Sequence, residues 1–129
     1  QVVLPLHPRT FKIIQNIKLN INKITIIDPL VDLEMIWMID QCNLVITDSG
    51  GLQEESSFLK KKSIVCRETT ERTEGKDTFS FLCPNPGQLG KLFKKIDNDH
   101  IIDLPCPYGD GHSGKRIVDL LIDFFGVKE

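Results

Sequence analysis

The 129-residue sequence contains no alanine, a single tryptophan and a single tyrosine, and its hydrophobic runs are short. A membrane-spanning helix needs about 20 consecutive apolar residues, so no transmembrane segment is predicted. No signal-peptide pattern is present either. The missing alanine, beside abundant isoleucine, lysine and asparagine, indicates coding bias rather than a function.

An excess of charge of either sign is also absent. The formal net charge is −2, with 26% charged and 40% hydrophobic residues. This balance gives no electrostatic basis for binding nucleic acid or an anionic membrane surface. The composition is that of an ordinary globular protein, and the length predicts one domain over residues 1–129.

The sequence also lacks paired cysteines, because Cys42, Cys66, Cys83 and Cys106 lie far apart without a C-x-x-C spacing. Apolar neighbours predict buried, reduced thiols rather than disulfides or zinc ligands. We therefore expect a cytoplasmic protein with no metal site and no cofactor.

What is present is an alternation of two hydrophobic periods. Strands are predicted at 2–6, 23–27, 44–47, 63–66 and 79–83, and helices at 10–19, 31–42, 51–61, 88–98 and 112–125. Alternating strands and helices predict a Rossmann-like α/β fold with a doubly wound parallel sheet. Pro8 predicts a turn before the first helix. Since Gln1 directly precedes a strand pattern, we expect the chain to be a fragment of a longer protein.

The stretch from Leu44 to Glu55 carries the most specific pattern. An apolar run leads into Asp48-Ser49-Gly50-Gly51, and an acidic helix follows. Glycines let a ligand approach the main chain, and a helix start offers unpaired N–H groups and partial positive charge. A phosphate suits this place. The alternative is a plain strand–helix turn in which Ser49 or Asp48 serves only as the N-cap.

Ligands of parallel sheets bind beyond the carboxyl ends of the strands. Three turns should meet there: His7 to Thr10, Asp48 to Gly51, and Arg67 to Glu74. Their hydroxyl and guanidinium groups suit an anionic, hydroxyl-rich ligand. Glu54 and Glu55, one turn into the helix, could accept hydrogen bonds from ribose hydroxyls or could serve only the helix dipole. Together these groups describe a nucleotide.

Three motifs, Thr47 to Glu55, Arg67-x-x-Thr-Glu-Arg-x-Glu and Tyr108-Gly-Asp-Gly, follow in an order that resembles one family. It is the non-hydrolysing UDP-N-acetylglucosamine 2-epimerase family, of which the chain resembles the C-terminal domain. The resemblance implies half of a glycosyltransferase-B-like enzyme with its cleft between two domains. That enzyme interconverts UDP-N-acetylglucosamine and UDP-N-acetylmannosamine by eliminating and re-adding UDP.

The resemblance also implies residue roles. Ser49, Gly50 and Gly51 would hold the diphosphate of UDP, Glu55 would hold the ribose, and Arg72 would lie beside the same cleft. His7 matches a histidine that contacts an allosteric UDP-sugar, although it could equally be a turn histidine that caps its neighbours. His100 and His112 have no match and are expected at the surface.

The family's catalytic acids and catalytic histidine fall outside this sequence, so no catalytic residue is predicted in the chain. We expect the fragment to be inactive alone and to bind UDP weakly, because half of the cleft is missing. The implied partners are UDP, a UDP-N-acetylhexosamine, the protein's own N-terminal domain and, as one option, a second copy of the parent protein. No nucleic-acid or membrane partner is implied.

Three departures from the family pattern bear on these expectations. Thr73 replaces a proline, Phe79 replaces a glycine, and Lys60 replaces a glycine that ends a helix. Because phenylalanine avoids positive φ, we expect an altered loop near the nucleotide. The alternatives left open are a hydrolysing epimerase or a glycosyltransferase of the same architecture, and a non-catalytic nucleotide-sugar-binding domain.

Overall fold

The fold alternates strands and helices along the chain, as the hydrophobic periods predict. A computed structural model describes residues 1–17, 20–96 and 102–126. Its elements are β1 (Val2–Pro5), α1 (Pro8–Ile17), β2 (Ile24–Ile27), α2 (Asp32–Gln41), β3 (Leu44–Thr47), α3 (Gly50–Phe58), β4 (Lys62–Val65), β5 (Ser80–Leu82), α4 (Leu89–Lys95) and α5 (Ser113–Phe125). A 3-10 turn, Pro86–Gln88, leads into α4.

All strand pairs in the described residues are parallel, which confirms the parallel α/β class. Over residues 1–17, 20–96 and 102–126, the strands form two hydrogen-bonded sheets rather than one. In the first, β1 pairs with β2 with Val2 opposite Ile24. In the second, β4 lies between β3 and β5, with Ile64 opposite both Ile46 and Phe81.

The chain divides into two compact units, Gln1–Met38 and Ile39–Glu129. The first contains β1, α1, β2 and most of α2, and the second contains the remaining elements. The expectation of a single domain over residues 1–129 stays a prediction.

The core of the second unit lies on the central strand. Ile64 is fully buried and packs with Cys83 and Ile96, and partly buried apolar side chains surround this cluster: Leu44, Phe81, Leu89 and Leu92. A strand with neighbours on both sides reads as continuously apolar or small in parallel sheets, and β4 follows this rule, because Ser63, Ile64 and Val65 are all buried.

Several element boundaries differ from those predicted. Pro8 does not form a turn before the helix but opens α1, where its missing N–H costs nothing and its fixed φ suits the first turn. Helix α3 ends three residues earlier than predicted, at Phe58. The predicted helix ends at Leu19 and Asn98, and the predicted surface position of His100, lie outside the described residues.

Lys60 ends α3 in the role of the glycine that it replaces. Its φ is 60°, in the left-handed region, and the N–H of Lys61 donates to the carbonyl of Ser56 at 2.8 Å. A Schellman-type ending of this kind normally uses glycine. The Lys60 ammonium donates to the carbonyl of Leu104 and lies 5.9 Å from the ring centre of Phe79.

Phe79 does not adopt a positive φ, so the expectation that phenylalanine is strained at this position is wrong. Asp77, with φ of 62°, provides the left-handed residue of this loop instead. Phe79 is 3% exposed, and its carbonyl accepts the N–H of Ser63 at 2.8 Å. Thr73 lies exposed in the same loop, and its carbonyl accepts the N–H of Lys76 at 3.1 Å.

Helix α5 is amphipathic, as predicted, and ends at Gly126 with φ of 62°. Its apolar side chains are exposed, with Phe124 at 81%. Within the described residues, none of the helices is long and apolar enough to cross a membrane.

Candidate functional site

The site begins at the two-residue connection between β3 and α3. Ser49 has extended backbone angles, and its Oγ accepts the N–H of Leu52 at 3.4 Å, which makes it the N-cap of α3. The N–H of Ser49 in turn donates to Oγ1 of Thr47 at 3.0 Å. These bonds hold the serine while the N–H groups of Gly50 and Gly51 keep no partner inside the helix.

A carboxylate lies over this helix start. A Cβ placed on Gly50 would come within 2.9 Å of Oε1 of Glu71, so only glycine leaves room for that side chain as it stands. Oε2 of Glu71 accepts from Arg67 at 3.2 Å. The N–H of Glu71 and the neighbouring Arg67 lower the pKa of this carboxyl below its ordinary value. A negative charge therefore occupies the end of α3 where the helix dipole favours an anion.

Arg72 brings a positive charge to the same place. Its guanidinium donates to Oε1 of Glu54 in α3 and lies 3.7 Å from Oε1 of Glu71. The Arg72 side chain is 36% exposed and that of Glu54 41%. Partly exposed pairs of this kind contribute little stability, so their effect is to orient Arg72 rather than to hold the fold together.

A buried amide joins the two turns. Gln53 is fully buried, its Nε2 donates to the carbonyl of Ser49 at 3.3 Å, and its Oε1 accepts from the hydroxyl of Thr70 at 3.0 Å. Oγ1 of Thr70 also accepts the N–H of Arg72 at 3.1 Å. The carboxyl ends of β3 and β4 are thus connected by hydrogen bonds, as the topology of a parallel sheet predicts.

Tyr108 reaches the site from the loop before α5. Its hydroxyl donates to the carbonyl of Arg72 at 3.4 Å, and a Cβ on the buried Gly75 would lie 3.3 Å from that hydroxyl. Burial raises the pKa of the Tyr108 phenol above its ordinary value. Nearby, Asp110 and Arg116 form a two-bond ion pair, at 2.8 and 2.6 Å, which lowers the pKa of Asp110.

The predicted site residues of the second unit fall into one neighbourhood. Ser49 and Gly50 are half-buried at the start of α3, Gly51 is exposed beside them, and Arg72 faces Glu54 of the same helix. Glu55 is half-buried one residue further along α3. The roles of these five residues in binding remain predictions.

His7 lies in the other unit, in the turn before α1. Its Nδ1 accepts the N–H of Arg9 at 3.2 Å, and its carbonyl accepts the N–H of Thr10 at 2.9 Å. It has the contacts of a histidine that caps its neighbours. A contact with a second UDP-sugar stays a prediction, as does the meeting of this turn with the other two.

Sequence reasoning gave Gln53 and Tyr108 no role of their own, and it treated the Thr70 hydroxyl as a ligand group rather than as a link to Gln53 and Arg72. It did not predict the ion pair between Glu54 and Arg72. A signal for Gln53 was present: Ser49, Gln53 and Ser57 are spaced by four residues and share one helix face. Gln53, Ser56 and Ser57 are fully buried. A buried polar face requires partners, which identifies Gln53 as a residue with a fixed hydrogen-bonding role.

The cysteines agree only in part with the prediction of buried thiols. All four are free; Cys83 is buried, Cys42 and Cys106 are half-buried, and Cys66 is exposed. Burial raises the pKa of the Cys42 thiol, and partial desolvation raises that of Cys66. His112 is exposed. In the part of the chain that the structure describes, no group of three or more His, Cys, Asp or Glu side chains could hold a metal ion.

Parallel strands that alternate with helices place the chain among the Rossmann-like α/β proteins. Residues 1–122 match the family model described as UDP-N-acetylglucosamine 2-epimerase. The chain therefore belongs to the UDP-N-acetylglucosamine 2-epimerase family.

Individual relatives support the same assignment. The chain is 38% identical to the UDP-N-acetylglucosamine 2-epimerase of Methanococcus maripaludis, with 99% of this chain and 36% of that protein covered. It is 47% identical over 73 residues to the UDP-2,3-diacetamido-2,3-dideoxy-D-glucuronate 2-epimerase of Pseudomonas aeruginosa, covering 57% of this chain and 20% of that protein.

Solved structures extend the likeness to the fold. The Methanocaldococcus jannaschii UDP-GlcNAc 2-epimerase, solved in complex with UDP-GlcNAc and UDP, is 34% identical with a TM-score of 0.79. The alignment covers 92% of this chain and 34% of that one. These structural relatives have a glycosyltransferase-B-like fold. The present chain spans about a third of the length of the relatives that it matches.

Proposed function

We propose that the chain is a single UDP-binding domain, residues 1–129, of a longer UDP-N-acetylglucosamine 2-epimerase. The observation that carries the proposal is the Ser49-capped start of α3 with Arg72 beside it, in a chain whose residues 1–122 match that family. A helix start and a guanidinium both favour a diphosphate.

In this proposal Ser49, Gly50 and Gly51 contact the diphosphate. The two glycines contribute main-chain N–H groups, and Arg72 balances part of the ligand's charge. Glu55 accepts hydrogen bonds from the ribose. The carboxylate of Glu71 must move when UDP binds, because it lies over Gly50, where we place a phosphate.

The parent protein would interconvert UDP-N-acetylglucosamine and UDP-N-acetylmannosamine. Elimination removes the C2 proton and breaks the bond from C1 to the UDP oxygen, leaving 2-acetamidoglucal and UDP. Re-addition of UDP restores that bond, and a proton returns to C2 from the opposite face. No residue of this chain is assigned to proton transfer, so the N-terminal domain is the required partner and the isolated chain is inactive.

The remaining parts of the proposal concern setting and regulation. We place the protein in the cytoplasm because its four cysteines are free. His7 contacts a second, activating UDP-sugar in the parent protein. A homodimer of the parent is also part of the proposal.

Calorimetry of the chain with UDP tests the binding step, with Ser49→Ala and Glu55→Gln as variants and Glu68→Gln as an exposed control. We expect each site variant to weaken UDP binding at least about tenfold, the cost of one good hydrogen bond to a charged group, and the control to match the unaltered chain. Unchanged UDP affinity in both site variants would refute the proposed UDP-binding site at the start of α3. For the parent protein, release of free N-acetylmannosamine would contradict the non-hydrolysing reaction.

A second substrate is favoured by the 47% identity with the Pseudomonas aeruginosa relative over 73 residues. Its name indicates the same epimerisation at C2 of a UDP-sugar with a different sugar moiety. Incubating the parent protein with each of the two UDP-sugars, and following inversion at C2 by NMR, distinguishes them. Turnover of only the diacetamido-glucuronate would replace the first substrate with the second.

A further inference from the structure

We propose that Gln53 is a positioning residue that fixes Arg72 relative to the Ser49-capped start of α3. The inference rests on the proposed UDP-binding function of that site. It concerns a residue that does not touch the ligand, because the Gln53 side chain is fully buried.

The argument starts from the direction of the hydrogen bonds. The N–H of Arg72 donates to the Thr70 hydroxyl at 3.1 Å, and that hydroxyl donates to Oε1 of Gln53 at 3.0 Å. Nε2 of Gln53 then donates to the carbonyl of Ser49 at 3.3 Å. The four residues form one unbroken chain in which every donor points the same way, an arrangement whose bonds strengthen one another.

At neutral pH, an amide of this length satisfies both ends of the chain, whereas an ionised carboxylate does not. The Ser49 carbonyl can only accept, so it needs a donor, whereas the O–H of Thr70 needs an acceptor for its proton while the hydroxyl oxygen accepts the N–H of Arg72. Glutamate lacks the donor, and methionine of similar length lacks both groups. The position therefore requires a particular hydrogen-bonding pattern as well as a particular volume.

Arg72 is held at three points by this arrangement. Thr70 fixes its N–H, Tyr108 donates to its carbonyl at 3.4 Å, and Glu54 accepts from its guanidinium. Two of the three anchors depend on the first two turns of α3. Glu54 contacts Arg72 directly, and Gln53 contacts it through Thr70. The helix whose start would bind the phosphate therefore also positions Arg72. The distance between the start of α3 and Arg72 is fixed before a ligand binds, and preorganisation of this kind improves affinity.

The decisive experiment is a double-mutant cycle on UDP affinity, measured by NMR titration of the full chain. The variants are Gln53→Met, Arg72→Met and the double variant, with the exposed Gln41→Met as control. We expect Gln53→Met to weaken UDP binding about tenfold in the unaltered chain, the effect of one lost charge-assisted contact, and to have no further effect beside Arg72→Met. Equal weakening in both backgrounds would overturn the proposal, because Gln53 would then act independently of Arg72.

Conservative variants supply a readout that a general loss of stability would not give. Thr70→Ser keeps the hydroxyl and should bind UDP like the unaltered chain, whereas Thr70→Val should reproduce the effect of Gln53→Met without adding to it. In Gln53→Glu, the affinity relative to the unaltered chain should rise as the pH falls, since the protonated carboxyl regains a donor for Ser49. A ratio that does not change with pH would contradict the proposed role, and this variant serves also if Gln53→Met fails to fold.

A measurement without ligand separates this proposal from the proposed function. The amide resonance of Arg72 should shift, and its hydrogen exchange should accelerate, in Gln53→Met but not in Gln41→Met. If the unaltered chain does not bind UDP, the proposed function fails while this shift still supports the positioning role. An unchanged Arg72 amide would overturn the positioning role whatever the result with UDP.

Discussion

Helices α1 and α3 begin in the same way, but they differ in the side chains that they bury. Each follows a parallel strand after two residues, Leu6-His7 before α1 and Asp48-Ser49 before α3. A side chain caps each start, His7 by accepting the N–H of Arg9 at 3.2 Å and Ser49 by accepting that of Leu52 at 3.4 Å.

After the capped first turn, the two helices differ in burial. Within the described residues, α1 has no buried side chain, whereas α3 buries Gln53, Ser56 and Ser57 completely. The small serines donate to carbonyls of their own helix, at 2.6 and 2.8 Å, and α3 packs against β4. Both of these helix starts are capped, and the buried polar layer below the start distinguishes α3, with its candidate ligand site, from α1.

The largest expected effect comes from removing the cap of α3. Ser49→Ala should lower the free energy of unfolding by about 1 kcal/mol, the usual value of an N-cap, and should weaken UDP binding at least about tenfold. Urea unfolding and NMR titration measure the two quantities. Ser113→Ala, at the exposed start of α5, is the matched control. A loss of stability without a loss of UDP affinity would show that Ser49 is only the N-cap of α3 and does not bind UDP.

The far end of α3 supplies the second prediction. Lys60→Gly and Lys60→Ala both lose the bond to the carbonyl of Leu104, but only glycine relieves the left-handed backbone. The glycine variant should therefore be more stable than the alanine variant by about 1 kcal/mol. Urea unfolding of the pair checks the difference. Equal stability would mean that the backbone at residue 60 is not strained in solution.

The charge over Gly50 gives the third prediction. Glu71→Gln keeps the shape of the side chain and removes the negative charge that UDP must displace, so UDP should bind about threefold tighter, an electrostatic effect of less than about 1 kcal/mol. NMR titration beside Glu68→Gln measures it. Weaker binding in Glu71→Gln would show that this carboxylate assists the ligand instead of competing with it.

The start of α1 should be less sensitive than the start of α3. His7→Ala removes an exposed acceptor from the N–H of Arg9, and a surface change of this kind should alter the free energy of unfolding by less than about 0.5 kcal/mol. The affinity of the chain for UDP should stay unchanged. A loss of stability equal to that of Ser49→Ala would remove the contrast between the two helix starts.

The smallest effect concerns pH. The pKa of Glu71 is lowered in the folded chain from its ordinary value of 4.5, so its ion pairs stabilise the fold above that value. This stability is lost as the pH falls through the lower folded pKa. The melting temperature of the unaltered chain should therefore fall more than that of Glu71→Gln between pH 6 and about pH 3. Parallel curves would contradict the lowered pKa.

Much of the fold could be predicted because the hydrophobic period and turn residues of each segment indicate whether it forms a strand or a helix. Strand β3, Leu44–Thr47, has the predicted bounds, and the capped turn after it follows from a serine before two glycines. The partners of Gln53 and Arg72 could not be predicted, because they lie 17 and 18 residues away along the chain, in Thr70 and Glu54. Such contacts depend on how the loop after β4 folds back onto α3, and local patterns carry no signal for that.

The left-handed residues show the same limit. The sequence marks Lys60 as a replaced glycine, but the backbone keeps the conformation of that glycine, since the hydrogen bonds to Ser56 and Ser57 satisfy the end of α3. At the next loop the left-handed conformation falls on Asp77, two residues before the position where the family pattern has glycine. A rule applied to one residue at a time does not predict this position, because the sequence pattern marks residue 79 and the left-handed residue is Asp77.

The most direct test of the central claim is to map UDP on the chain by amide chemical shifts. The account predicts that the largest shifts fall on Ser49, Gly50 and Gly51 and on Thr70 to Arg72, and that they are much smaller in Ser49→Ala at the same UDP concentration. Shifts that instead lie away from both turns, or no shifts at millimolar UDP, would contradict the proposal that the start of α3 is the nucleotide seat.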